Sequence, residues 1–215
     1  MNADAVYKVS RDDFGGNPSG ENAAHRHPQR RSPASIGLWV FMGVVTSLFA
    51  LFLTAYALRM DSPDWHRIAL PWQVWLSTAL LAAGSVAMEV ASRAARRGSM
   101  GVARLALRLG GLGAAAFVVS QLWAWQALGA MQVMPAGNPA GSFFYLLTAM
   151  HGLHVLGGLV GWGFAVAARG SGERAVLRMR LCARYWHFLL AVWVVLLAAL
   201  GWLTPELVRY LCGTA

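Results

Sequence analysis

The chain has 215 residues, of which 57% are hydrophobic and only 13% carry a charge, whereas soluble domains carry about 25% charged residues. This composition argues against a soluble globular enzyme, a disordered chain and a nucleic-acid-binding domain. The formal net charge of +9 arises mainly from 17 Arg that lie between long apolar runs, an arrangement typical of the loops of a polytopic membrane protein.

The first 35 residues are polar and rich in charge, and they predict a flexible cytoplasmic tail. They contain no short apolar run followed by a cleavage site. We therefore expect no cleavable signal peptide, and we expect the first apolar run to direct insertion into the membrane.

Five apolar runs follow, each near or above the roughly 20 residues that a transmembrane helix needs. The third and fourth come from one uncharged stretch, residues 109–168, which a turn rich in Pro and Gly at residues 134–141 divides. The sequence therefore predicts an all-α membrane protein with five transmembrane helices in a domain of residues 36–203. The predicted spans are residues 36–58, 68–91, 109–133, 142–168 and 185–203, and a short periplasmic tail, 204–215, follows them.

The Lys and Arg residues predict the orientation of these spans. The N-terminal segment and the segments 92–108 and 169–184 carry five each, and the segments of the opposite side carry three in all. Loops rich in Lys and Arg stay in the cytoplasm. We therefore expect a multi-pass protein of the bacterial inner (cytoplasmic) membrane, with a cytoplasmic N-terminus and a periplasmic C-terminus.

Few polar side chains occur within the spans, and each is a candidate for function because burying it in a bilayer is unfavourable. His151 and His154 share one face of the fourth helix, and His187 begins the fifth. Glu89 stands four residues before Arg93, the favourable order for an ion pair on one helix.

Two interpretations of the histidines remain open at this stage. They could bind copper or zinc through their imidazole nitrogens, or they could form hydrogen bonds to neighbouring helices. The structural interpretation is favoured, because no fourth ligand accompanies the set and Cys182 and Cys212 form no metal-binding pair. We predict no catalytic, cofactor-binding or metal-ligating residue in this chain.

Glycines cluster on the fourth helix. Small residues three or four positions apart allow helices to approach closely in membranes. The sequence thus predicts that this helix packs tightly on a neighbour through Gly152, Gly157, Gly158, Gly161 and Gly163.

Two segments resemble subunit III of haem–copper terminal oxidases, in its short five-helix form. Residues 142–158 (SFFYLLTAMHGLHVLGG) resemble the Thr-Gly-x-His-Gly-x-His-Val-x-x-Gly segment of that family. Residues 185–193 (YWHFLLAVW) resemble the start of its last helix, Tyr-Trp-His-Phe-x-Asp-x-Val-Trp. Weaker similarity covers the remainder of residues 36–203.

The resemblance implies a non-catalytic accessory subunit of a respiratory oxidase that reduces oxygen and translocates protons. It implies that haem and copper are in partner subunits, and that this chain packs on subunit I, has subunit II and a small subunit IV as further partners, and binds phospholipid. The positions that it assigns to packing or to a lipid cleft are His151, His154, Gly158, Tyr185, Trp186, His187 and Trp193.

Two departures from the family pattern accompany this resemblance. Val45 stands where the family often has a glutamate, and Leu190 stands where the last motif has an aspartate. These replacements suggest a divergent branch, so a quinol oxidase and a nitric oxide reductase remain alternatives for the complex. A small five-helix transporter is a further alternative, although the spans offer little polar lining for a transport path.

Overall fold

The computed structural model describes residues 32–133, 137–168 and 172–212, with side chains described as far as residue 210. Within these ranges the chain is helical and contains no β-strand. Its helices are α1 (Pro33–Arg59), α2 (Gln73–Arg96), α3 (Met100–Ala130), α4 (Pro139–Ala167), α5 (Glu173–Trp202) and α6 (Pro205–Cys212).

The first five helices are long and apolar enough to cross a membrane, which confirms the predicted all-α fold with five transmembrane helices. Most of the segment predicted to be a flexible tail, residues 1–31, lies outside the described residues. Its last residues do not belong to such a tail, because α1 already begins at Pro33, a residue suited to the first turn of a helix.

The helices do not begin and end where the apolar runs do. α3 begins at Met100 rather than at residue 109, and α5 begins at Glu173 rather than at residue 185. Arginine is a good helix former, so a helix continues through arginine-rich sequence after it has left the hydrocarbon region. Conversely, α2 begins only at Gln73 rather than at residue 68, because Pro71 restricts the backbone before it.

The segment predicted as a short tail after residue 203 contains the amphipathic helix α6. Pro205 occupies its first position, and the Thr204 hydroxyl accepts a hydrogen bond from the Leu207 amide at 3.2 Å. Both features favour the start of a helix. The tail was too short and too polar to be recognised as a membrane span. A helix on the surface needs neither the length nor the continuous apolar sequence of such a span.

Contacts between helices establish their relative directions. Near one end Ser120 of α3 donates to the Gln73 carbonyl of α2, and further along the pair Gly110 lies against Met88, so α2 and α3 are antiparallel. The same comparison of contacts makes α3 and α4, and α4 and α5, antiparallel. The connections α2–α3 and α4–α5 therefore lie at one end of the bundle, which we call the arginine-rich end.

The backbones of α2 and α3 approach each other closely at a pair of glycines. A Cβ atom on Gly113 would lie 3.1 Å from the Gly84 Cα atom and 3.2 Å from the Leu80 carbonyl oxygen. Both neighbours are backbone atoms, so a side chain at this position would require the two helices to move apart by a few tenths of an ångström or more.

The prediction of tight packing through the α4 glycines is wrong for four of the five. Within the part of the chain that the structure describes, nothing lies within 4 Å of a Cβ atom built on Gly152, Gly157, Gly161 or Gly163. Gly158, in contrast, is in close contact with the Tyr185 ring of α5. Missing side chains leave open space as readily as they permit close approach, and only the position of the neighbouring helix decides between the two.

Candidate functional site

His151 lies on α4 in an aromatic cage at the centre of the bundle. Its side chain is completely buried, with its ring centroid 5.1 Å from that of Trp193, 5.6 Å from Phe117 and 6.3 Å from Phe49. Neither ring nitrogen has a hydrogen-bond partner within the described part of the chain. Through these rings, His151 brings together α1, α3, α4 and α5.

His154, one turn along α4, is connected to backbone and to α5. Its Nδ1 atom lies 2.7 Å from the Met150 carbonyl oxygen, and its own carbonyl accepts a hydrogen bond from the Tyr185 hydroxyl at 3.0 Å. A Cβ atom on Gly158 would lie 2.8 Å from the Tyr185 ring, so the absence of a side chain there allows Tyr185 to lie across α4.

His187 belongs to a different cluster, between α5 and α2. Its Nδ1 atom forms a hydrogen bond with the Ser85 hydroxyl, and its Nε2 atom lies 3.3 Å from a carboxylate oxygen of Glu89. The other Glu89 oxygen pairs with Arg93 Nε at 2.7 Å, and Arg96 lies 3.9 Å away. This polar clamp (Ser85, Glu89, Arg93 and His187) connects the two helices.

Ser85, His187 and Glu89 are connected in the order serine, histidine, carboxylate, which is also the order in the catalytic triad of a hydrolase. A nucleophilic serine must be reachable by its substrate, with its oxygen close to the carbon under attack. Ser85 is only 1% exposed. The hydroxyl therefore contributes to the contact between α2 and α5, and the clamp is arranged to hold these two helices together.

The two tryptophans of the second motif, both on α5, are buried inside the helix bundle. The Trp193 indole donates to the Thr78 hydroxyl of α2 at 2.9 Å, whereas the Trp186 indole nitrogen has no partner within the described residues. Beside them the Gln121 amide of α3 donates to the Ser77 hydroxyl at 2.7 Å. Polar side chains thus fasten α2 to both α3 and α5.

The α2 partners in these contacts were not among the residues predicted from the sequence. Ser77, Ser85 and Ser92 are each at most 2% exposed, and they recur at intervals of eight and seven residues. Such intervals place them near one helical face. That recurrence was a readable signal that α2 turns a polar stripe towards its neighbours.

No group of three or more His, Cys, Asp or Glu side chains in the described ranges is arranged to hold a metal ion. The three histidines of the metal hypothesis are divided between two places. His151 and His154 face α1, α3 and α5, whereas His187 faces Ser85 and Glu89 of α2.

A groove of about 1130 Å³ lies between α1, α4 and α5 at their arginine-rich ends. Along α4 it runs from Leu153 to Ala168, which at 1.5 Å per residue is about 22 Å, roughly half the full thickness of a bilayer. Its walls include Gly37, Leu38, Phe41, His154, Gly157, Gly158, Gly161, Phe164, Ala165, Arg178, Cys182 and Tyr185.

The polar groups in the groove wall are mostly occupied by internal hydrogen bonds. Tyr185 donates to the His154 carbonyl, and Trp162 donates to the Leu107 carbonyl at 2.7 Å. The groove consequently presents an apolar surface along most of its length. The guanidinium of Arg178 stands at its arginine-rich end, and no hydrogen bond or ion pair within the described residues occupies that group.

Comparison with known proteins adds an independent observation, although no family model matches the chain. The chain is 30% identical over 159 residues to a probable cytochrome c oxidase subunit 3 of Nocardia farcinica, a match that covers 71% of this chain and 77% of the relative. The chain belongs to the subunit III family of haem–copper oxidases.

Other members of the subunit III family differ in the electron donor that their names state. A cytochrome bo(3) ubiquinol oxidase subunit 3 of Pseudomonas aeruginosa is 29% identical over 74% of this chain and 79% of its own length. A cytochrome c oxidase subunit 3 of Corynebacterium diphtheriae is 27% identical over 77% of this chain and 85% of its own.

The two positions at which this chain lacks the family's acidic residues are in apolar surroundings. Val45 is 3% exposed and belongs to the core, and Leu190 is partly buried against it. A carboxylate at either place would need a polar partner to offset its desolvation. The apolar residues Val45 and Leu190 therefore suit the surroundings in which they lie.

Proposed function

We propose that this chain is the non-catalytic subunit III of a bacterial respiratory oxidase that reduces oxygen to water and translocates protons. As a member of the family it is an accessory subunit of an oxidoreductase complex, and it is a multi-pass membrane protein. The observation that carries the proposal is the match to curated subunits 3 over most of the chain. In this proposal, it packs on subunit I, with subunit II and a small subunit IV as further partners.

Haem and copper reside in other subunits of such an oxidase. Within this chain, the proposed roles of His151, His154, Trp186, His187 and Trp193 are structural. Their support is the geometry, because each side chain lies in an aromatic cage, a helix interface or a polar clamp.

The proposed orientation puts the arginine-rich end in the cytoplasm of a bacterial inner membrane. Its support is the excess of Lys and Arg in the segments that connect α2 to α3 and α4 to α5. The groove then opens in the cytoplasmic leaflet. Its apolar wall and its length, close to half of a bilayer, fit the acyl chains of a phospholipid.

The complex could take its electrons from cytochrome c or from a quinol. Relatives carry both names at similar identity, so both donors remain candidates. The donor site would belong to partner subunits, and only isolation of the complex can distinguish the two.

Purification in mild detergent through a tag on this chain tests the accessory function. We expect large haem-bearing subunits to co-purify, with a reduced-minus-oxidised haem spectrum and oxygen consumption. When this chain is separated from the complex, the haem should remain with the partner subunits and should be absent from this chain. A chain that purifies alone and colourless would overturn the proposal, and haem or copper retained by the isolated chain would restore the metal hypothesis.

Substitution of the histidines separates a structural role from a catalytic one. We expect His151→Ala, His154→Ala and His187→Ala to reduce association with the complex, or the duration of its activity, without changing the initial rate per assembled complex. A matched control is His66→Ala, since His66 lies in the loop at the opposite end. An assembled complex that loses its initial rate on truncation of His187 would contradict the structural assignment.

A further inference from the structure

A small cavity of about 10 Å³ lies at the end of the bundle opposite the arginine-rich end. It is formed where α1 ends, α4 begins and α5 ends, beside the connection of residues 60–72 between α1 and α2. Four parts of the chain that are separated in sequence therefore meet there. The walls are Tyr56, Trp65, Arg67, Ile68, Ala140, Leu200 and Leu203.

Trp65 brings an unpaired hydrogen-bond donor to this cavity. Its indole nitrogen, Nε1, is buried and has no hydrogen-bond partner within the described residues. The ring is packed against Tyr56, with the two ring centroids 5.1 Å apart. A buried N–H group that has lost water without gaining another partner is unfavourable, so such groups are usually paired. An acceptor bound in the cavity would satisfy this N–H group.

Tyr56 and Arg67 add further donors to the same wall. Tyr56 is only 3% exposed, and no residue of the described ranges forms a hydrogen bond with its hydroxyl. Arg67 donates one of the several N–H groups of its guanidinium to the Gly201 carbonyl at 2.9 Å. That hydrogen bond holds the charged group beside the end of α5. Three donor side chains from α1 and the connection thus line one cavity.

The charge and the volume of the cavity indicate its ligand. No carboxylate lines it, and Arg67 forms no ion pair within the described part of the chain. The lining side chains donate hydrogen bonds or are apolar, so they favour an acceptor over a metal cation, which needs oxygen ligands. A volume near 10 Å³ is about what one water molecule needs, so a polyatomic anion such as phosphate does not fit.

We propose that Tyr56, Trp65 and Arg67 form a binding site for one small hydrogen-bond acceptor. Two ligands have this chemistry, a water molecule and a halide ion such as chloride. The bound ligand fastens the connection to the bundle, beside a contact in which the Asn138 side chain donates to the His66 carbonyl at 2.6 Å and accepts from the His66 amide at 3.3 Å. The site does not rest on the function proposed above.

Nuclear magnetic resonance of the full chain, labelled with nitrogen-15 at its tryptophans and held in nanodiscs, tests the site directly. The Trp65 indole signal is the one that disappears in Trp65→Phe. We expect it to show magnetisation transfer from a bound water, or a change in chemical shift when bromide replaces chloride. The control is Trp162, whose indole donates to the Leu107 carbonyl at 2.7 Å and which should show neither effect.

Thermal unfolding of the same preparations measures what the ligand contributes. Trp65→Phe should lower the midpoint by about 2–4 °C more than Trp72→Phe does, because a buried hydrogen bond to the ligand is lost. Trp72 is a matched control, since its ring lies 5.0 Å from that of Trp123 but it is 58% exposed and does not line the cavity. If the ligand is a halide, gluconate in place of chloride at constant ionic strength should lower the wild-type midpoint and leave that of Trp65→Phe unchanged.

The two arms distinguish the ligands. A water contact at Trp65 without dependence on the anion supports the site with water, and a bromide shift with a chloride-dependent midpoint supports it with a halide. A Trp65 signal that shows neither effect would overturn the proposal. Equal midpoints for Trp65→Phe and Trp72→Phe would do so as well, because the indole N–H group would then have no bound partner to lose.

A second variant covers the case in which Trp65→Phe does not fold. Tyr56→Phe removes one hydroxyl and keeps the ring that packs on Trp65. It should displace the indole signal of Trp65 and weaken the water contact or the bromide shift of that signal. A Tyr56→Phe spectrum in which every indole signal keeps its wild-type position and contacts would contradict the shared site.

Discussion

The helices α2 and α3 are in backbone contact and polar pairs join α2 to α3 and α5, whereas α1 meets its neighbours through aromatic rings and buried apolar side chains. Glycines let α2 and α3 touch, and Thr78, Ser77 and Ser85 connect α2 to side chains of the other two. α1 meets α4 through ring contacts such as Phe49 with His154.

This difference explains the position of the groove. Close packing leaves no room for a ligand, whereas a helix that packs less closely leaves space beside it. At the arginine-rich end, Arg184 holds α1 by a hydrogen bond to Ser35 and by its position over the Trp39 ring, 5.6 Å from the centroid. The closely packed helices thus support α1, and the groove lies beside it.

The largest expected effect is on the α2–α3 contact. Gly113→Val should destabilise the folded bundle by about 3 kcal/mol, because overpacking against backbone forces the two helices apart. Gly163→Val is the matched control, since no residue in the described ranges lies within 4 Å of a Cβ atom there. Thermal unfolding in detergent, followed by circular dichroism, measures both. Equal midpoints for the two variants would show that the contact is not tight.

A smaller effect is expected at the polar contacts of α2. Trp193→Phe and Thr78→Val in a double-mutant cycle should give a coupling energy of about 0.6 kcal/mol, the average for hydrogen bonds between membrane helices. Thr54 of α1, whose hydroxyl donates to the Ala50 carbonyl, provides the control cycle with Trp193. Coupling of the same size in that cycle would contradict the assignment of this energy to the contact.

The smallest effect on stability is expected in the groove. Gly157→Leu with Gly161→Leu fills open space and should change the free energy of unfolding by no more than about 0.5 kcal/mol. The variant should nevertheless lose bound phospholipid, measured as phosphorus per complex, whereas Gly163→Leu, outside the groove lining, should retain it. Stability lost as strongly as with Gly113→Val would show that α1 is packed tightly.

Apolar runs predicted the number of spans well, but not the extent of the helices. The thickness of the hydrocarbon region determines the length of each apolar run, so hydropathy indicates which residues lie in the membrane. The hydrogen bonds of a helix do not depend on lipid, and α5 continues through Arg174, Arg178 and Arg180. The same limitation concealed α6, whose short amphipathic sequence has no membrane-spanning length.

The sequence predicted which residues belong to the candidate site, but it did not predict how they are grouped. The two motifs identified His151, His154, Tyr185 and His187 as residues to examine. Their division between an aromatic cage and the polar clamp depends on which helix stands opposite each of them. Ser85 is far from His187 in sequence, and the local pattern around either residue does not indicate the other.

By itself the sequence determined the all-α class, the five spans and, through two motifs, the family. These properties follow from hydropathy and from local residue order, which the chain carries wherever its helices lie. The tertiary structure decided which glycines touch and which line a groove, and it brought Tyr56, Trp65 and Arg67 around one cavity. Packing between distant segments determines such features, because a side chain's surroundings depend on neighbours that are remote along the chain.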